Sequence, residues 1–291
     1  MLGYKENHEK KQLNIHARTL KAFFFAAALC LLPFGAQAIE LKGALTQGGY
    51  VYGKAPAGSE VYLEGKRLKT DANGNFFAGL NRHFTTVGEL KIKPPKGEAE
   101  THTFMVTPQD YPVQHIKGVS NKHVNPDPKQ VERSRKEAAA IRKSRSFFTE
   151  EPAAFNRFVL PIKGYPVSGV YGSSRTYNGE ERSWHKGLDL AAPSGTPIYA
   201  PADGIVRAAL ADTFFNGNII VLDHGYGLFS IYAHLRHMAV TEGTKIRQGD
   251  VLGEVGTTGR STGPHLHWGL YWHNIALDPK LFLTDNERNE L

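Results

Sequence analysis

Three short stretches in the C-terminal half carry side chains able to do chemistry: His185-Lys-Gly-Leu-Asp189, Tyr232-Ala-His234-Leu and Gly-Pro-His265-Leu-His267-Trp. In a strand, side chains alternate faces, so His265 and His267 point one way while Leu266, Trp268 and Leu270 point the other. In an extended segment positions i and i+4 share a face, so His185 and Asp189 can converge. Each motif alone is weak. The chain has thirteen histidines, and a histidine in an apolar strand is more often a packed core residue than a ligand. The set is stronger than its parts. Two neutral imidazoles and one carboxylate make a three-ligand zinc site whose fourth position is open to water. Two further histidines are then left over for proton transfer.

The cysteine count favours such a donor set. The one cysteine, Cys30, lies in a stretch that reads as an export signal. Lys10, Lys11, Arg18 and Lys21 precede the apolar run Ala22 to Phe34, which is too short for a comfortable membrane span. Pro33 and Gly35 break the run, and Ala36-Gln-Ala38 is a small-x-small cleavage site. Residues 1–38 are therefore expected to be removed. Without Cys30 the chain has neither a disulfide nor a thiolate site, and a transition metal must be held by histidines and carboxylates. The removed segment holds five basic and two acidic residues, so the +7 of the full chain falls to +4. A mildly basic exported protein suits an anionic partner such as cell wall or a membrane surface. No nucleic-acid partner is expected, and membrane association is expected only through the signal segment before cleavage.

The elements that must position these groups are mainly β. Tyr50-Val-Tyr52, Glu60-Val-Tyr-Leu63 and Thr103-Phe-Met-Val106 read as short strands between turn signals such as Asp71-Ala-Asn-Gly74. They predict a small β-sandwich over 39–110 with no chemistry of its own, resembling bacterial immunoglobulin-like modules. Residues 111–154 are expected to be a basic linker with a helix from Lys129 to Arg145. Between Lys117 and Arg145 nine basic residues face three acidic ones, which reads as a solvated linking helix. From 155 to 283 short strands and Gly-rich turns alternate, with no convincing helix between 158 and 280. Residues 284–291 form a tail.

The stretches WHKGLDLAAPSGTPIYAPADGIV, GNIIVLDHGYGLFSIYAHL and GTKIRQGDVLGEVGTTGRSTGPHLHWGLY together resemble the LytM/lysostaphin-type peptidoglycan endopeptidases, family 23 of the metallopeptidases, with a duplicated-hybrid-motif-like β domain. The resemblance spans about residues 157–283. It implies a groove-bearing antiparallel β-sheet domain and one zinc ion per chain, with His185, Asp189 and His267 on ligand positions. His234 and His265 fall on the two non-ligand catalytic positions. It also implies cleavage of peptide crosslinks in peptidoglycan, with the D-alanyl–diaminopimelate bond in the periplasm of a Gram-negative cell as the expected target.

Four further expectations stand beside those ligand and catalytic positions. Arg175 and Asn178, in the loop before His185, are candidates to meet substrate carboxylates. A regulatory protein partner at the groove is the alternative to catalysis, although a pure regulator has no need for a complete metal set. The N-terminal module is a spacer, a wall-binding element or a cover for the cleft. His224 is expected to be structural.

Overall fold

A computed structural model describes residues 39–291, which form one compact unit. The expected export signal lies outside the described residues. None of the described helices is long and apolar enough to cross a membrane.

The fold is mainly β. Near the start, strands β1 (Lys42–Ala44), β2 (Tyr50–Lys54), β3 (Glu60–Leu63), β4 (Lys66–Leu68), β5 (Asn75–Gly79), β6 (Val87–Lys93) and β7 (Glu100–Met105) make two antiparallel sheets, ordered β1-β2-β5 and β4-β3-β6-β7. Their inner faces share one core. Val51, Phe76 and Ala78 from the first sheet meet Val61, Leu63, Leu90 and Ile92 from the second. β6 alternates strictly between exposed and buried residues, as a strand with one wet face must. This is a two-sheet sandwich.

The segment after it does more than connect. Strand β8 (Val113–Ile116) pairs in parallel with β10 (Ser174–Tyr177), which pairs in turn with β11 (Glu180–Arg182). A short helix α1 (Asn121–Val124) follows, then α2 (Pro128–Lys143). Asp127 caps α2: its carboxylate accepts from the Gln130 amide at 2.8 Å, Gln130 returns a contact to the Asp127 amide, and Pro128 fills the first helical position. Such a cap contributes roughly 1 kcal/mol. The helix is not a free solvated rod. Ile141 packs on Ala208, Ile219, Val221, Phe229 and Ile231, and Glu137 accepts from the Phe214 amide at 2.7 Å.

The remaining strands are β9 (Val167–Gly169), β12 (Leu188–Leu190), β13 (Pro197–Tyr199), β14 (Gly204–Thr213), β15 (Gly217–Gly225), β16 (Leu228–Leu235), β17 (His237–Met238), β18 (Lys245–Ile246), β19 (Val251–Glu254), β20 (Leu266–Trp272) and β21 (Ile275–Leu277). The main sheet runs β18-β14-β15-β16-β20-β12-β9, with β21 beside β20. A smaller sheet, β13-β19-β17, packs against it. A last helix, α3 (Asp285–Asn289), closes the chain. The long central strands β15 and β16 are buried nearly throughout. That is why they read as continuous apolar runs rather than alternating ones.

Candidate metal centre and groove

The main sheet brings the three motifs together. Asp189 on β12 stands directly opposite His267 on β20, and Ala233 of β16 faces His267 from the other side. His267 Nδ1 lies 2.8 Å from Asp189 Oδ1. His185 is not itself in a strand; it sits in the extended lead-in to β12. Its Nε2 lies 3.0 Å from the same Oδ1 and 3.1 Å from His267 Nδ1. His185, Asp189 and His267 therefore present three donor atoms around one point.

Behind them the sheet is solid. Leu266, Trp268 and Leu270 are fully buried on the opposite face of β20. Gly187 gives the His267 ring its room. A Cβ there would stand 2.8 Å from His267 Cε1 and 2.5 Å from the Trp268 carbonyl oxygen.

His234 and His265 flank the trio. Their ring centroids are 4.8 Å apart, and His234 is 6.1 Å from His267. His234, next to last in β16, has a left-handed conformation, φ +65°, uncommon for a residue with a side chain. Thus the strand pattern fixes where His234 falls in sequence, while a local backbone turn sets its aim.

Backbone carbonyls set the tautomers. His185 Nδ1 donates to Val170 O at 3.0 Å, His234 Nδ1 to Thr258 O at 2.8 Å, and His265 Nδ1 to Gly263 O at 2.9 Å. A carbonyl can only accept, so each ring carries a proton on Nδ1, and in the neutral form of the ring the lone pair sits on Nε2. Burial pushes His185 down to about 4, against the pull of Asp189. Burial likewise pushes His234 down to about 3, helped by the neighbouring histidines. Both are neutral near pH 7. Burial alone would raise Asp189, yet His185 and His267 hold its carboxyl well below the usual range.

This donor chemistry fits a cation. His185 Nε2, with its lone pair, faces a carboxylate oxygen at 3.0 Å, and two acceptors at that distance need a positive centre between them. Two imidazoles and a carboxylate are an ordinary set for zinc.

The other Asp189 oxygen is held from outside. Arg175 donates to Asp189 Oδ2 at 2.6 Å and to Gln114 Oε1 at 3.0 Å. Gln114 in turn donates to Ser168 O at 2.8 Å. Arg175 lines the groove but commits its hydrogen bonds to this chain. Asn178, at a turn with φ +52°, spends its amide on the Val119 backbone. Neither Gln114 nor the groove-lining run up to Val119 stands out in the sequence beyond the short alternation of Val113-Gln-His-Ile116. The groove, about 450 Å³, runs past Gln114, Arg175, Asp189, His234, His265 and His267.

His224 lies elsewhere, fully buried, with Nδ1 on Asp203 O and Nε2 on Ser230 Oγ, both at 2.7 Å. Its contacts are structural.

Residues 183–279 match the profile of peptidase family M23. The chain carries a peptidase family M23 domain. It is 36% identical over 132 residues to the DD-carboxypeptidase/endopeptidase Mpg of Neisseria meningitidis, covering 45% of this chain and 28% of that one. It is 40% identical over 136 residues to the peptidoglycan DD-endopeptidase ShyC of Vibrio cholerae, covering 46% of this chain and 29% of that one. The chain thus spans under a third of the length of these curated relatives. A crystal structure of a Pseudomonas aeruginosa M23 peptidase superposes with a TM-score of 0.57 at 27% identity. It covers 82% of this chain and 95% of that one. That likeness reaches well beyond the M23 segment.

Proposed function

We propose that this chain is a zinc-dependent endopeptidase that hydrolyses peptide crosslinks of peptidoglycan outside the cytoplasm, in the periplasm of a Gram-negative cell. The observation that carries the reading is the convergence of His185 Nε2, Asp189 Oδ1 and His267 Nδ1 within 3.1 Å of one another, with His234 and His265 beside them. The names of the relatives ShyC and Mpg support peptidoglycan as the substrate class. Residues 155–283 form the peptidase domain in this reading, the module over 39–110 precedes it, and cleavage after Ala38 releases the exported chain.

His185, Asp189 and His267 hold the metal. Zinc bound there would polarise the scissile carbonyl and lower the pKa of a bound water to near 7. His234 and His265 present Nε2 lone pairs to the groove and act as the proton acceptor and the orienting partner for the attacking water. The one histidine that takes the water's single proton becomes cationic, stabilises the developing oxyanion with its partner, and returns that proton to the leaving amine. The bond cut is the D-alanyl–diaminopimelate crosslink.

The test is mass spectrometry of muropeptides from a diaminopimelate-type sacculus digested with the full chain, with and without chelator. Crosslinked dimers converted to monomers by bond hydrolysis, halted by chelator and restored by zinc, is the expected result. Intact dimers in the presence of zinc would refute the reading.

A further inference from the structure

Arg260 is a cation in the groove without an acidic partner among the described residues. Its guanidinium lies between two rings, 4.8 Å from the Tyr177 centroid and 4.5 Å from that of Phe215. Arg260 lines the groove on both sides of the metal centre, together with Arg175, Tyr177, His234 and His267. Its arginine neighbours are already matched. Arg175 bonds Asp189 and Arg182 bonds Glu180, each at 2.6 Å. Among the described residues no carboxylate lies within ion-pair distance of Arg260.

The loop holds Arg260 in place. Its backbone amide donates to Phe215 O at 2.9 Å. Gly259 before it, at φ +72°, has no space for a side chain: a Cβ would lie 2.3 Å from Gly217 N. A stacked guanidinium is pre-oriented and keeps its donors at the ring edges free. A partly desolvated cation without a counter-ion favours an anionic ligand, and its low hydration makes the match less costly.

We infer that Arg260 is a specificity residue that binds a free carboxylate of the substrate peptide while the scissile bond lies at His234 and His265. The inference rests on the peptidoglycan-peptide reading and deepens it. Crosslinked stem peptides carry free carboxylates near the crosslink. Among the described residues Arg260 is the one groove arginine with no carboxylate to hold.

The experiment compares two purified crosslinked peptide dimers, one with its diaminopimelate carboxylates free and one with them amidated. A charge-assisted hydrogen bond to a carboxylate corresponds to about 10- to 100-fold in kcat/KM. The zinc-loaded wild type is expected to prefer the free acid by that factor. Arg260→Gln is expected to raise KM for the acid to that of the amide, with kcat on the amide little changed and zinc content kept. Arg260→Lys, which retains charge but not the flat stack, is expected to recover part of the preference. Equal rates on both dimers with wild type overturn the inference while leaving the endopeptidase reading in place, and need no variant. Retained preference in Arg260→Gln also overturns it. A wild type that cuts neither dimer overturns both.

Discussion

Gln114 and Arg175 are bonded at 3.0 Å although they lie 61 positions apart. Through that contact the segment between the sandwich and the M23 domain reaches the carboxylate of the candidate metal centre, because Arg175 also holds Asp189 Oδ2 at 2.6 Å. A carboxylate ligand oriented by a second group binds metal more tightly than a free one. Arg175→Ala is expected to weaken zinc binding by about 10- to 100-fold, measured by competition with a chelator of known affinity. Gln114→Ala, which leaves the ion pair intact, is expected to lose less. Unchanged affinity in Arg175→Ala would mean that the pair only fills space.

His265 and His267 lie two residues apart and are expected to differ in what their loss does. His267→Ala is expected to lose zinc and activity together. His265→Ala is expected to keep one zinc per chain and lose about 100- to 10,000-fold in turnover, the usual weight of general acid–base catalysis. Metal content by elemental analysis beside muropeptide turnover separates them. Full turnover in His265→Ala would remove that residue from the mechanism.

Gly187 supplies a test that spares every polar group. A methyl at this position meets the His267 ring at 2.8 Å and a backbone oxygen at 2.5 Å, so the ring must move. Gly187→Ala is expected to fold, with a lowered melting temperature, and to bind zinc at least tenfold more weakly, a tilt of one ligand costing about what a lost outer partner does. Titration of the metal-free protein with zinc reads this directly.

His224 predicts how stability follows pH. Burial pushes it down to about 4, so it is neutral in the folded chain and binds a proton on unfolding below the ordinary value near 6.5. The unfolded state then holds more protons. Its contribution is fully present above pH 6.5 and is lost as pH falls towards 4. The shift corresponds to about 3 kcal/mol across that window. His224→Gln is expected to be less stable at pH 7 and to lose less stability than wild type between pH 7 and pH 5. Urea unfolding of metal-free protein at both pH values checks it. Parallel curves would locate the sensitivity in His185 and His234 instead.

Much of the site was legible because strand periodicity is local. His-Leu-His within an apolar alternation puts His265 and His267 on one face, and the Gly-Pro lead-in announces a strand start. Other parts depended on distant partners. The sequence does not say that Asp189 and His267 are register neighbours, since that requires β12 to insert beside β20. The segment over 111–154 reads as a linker because its prolines and charges hide two commitments: Val113–Ile116 pairs with β10, and Ile141 covers the main sheet. Arg260 carries no local signal for the same reason. Tyr177 and Phe215, which flank it, come from two other parts of the chain. The strained turn at His234 left no pattern either, because the residue there is not glycine.

The sandwich and the M23 domain do not keep separate interiors. Tyr50 and Phe77, both on the β1-β2-β5 sheet, belong to the same core cluster as Leu188, Trp268 and Leu277, and the Tyr50 ring stacks 4.2 Å from Phe282. Gly79 sits so close to Trp272 and Leu277 that a methyl there would be 2.8 Å from one and 2.9 Å from the other. A shortened chain starting near Phe155 would therefore bare Phe282, Leu277 and Trp272 as one greasy face, inviting self-association. Anyone wishing to produce the C-terminal half alone must redesign that face first, because part of its waterproofing is made from the other half.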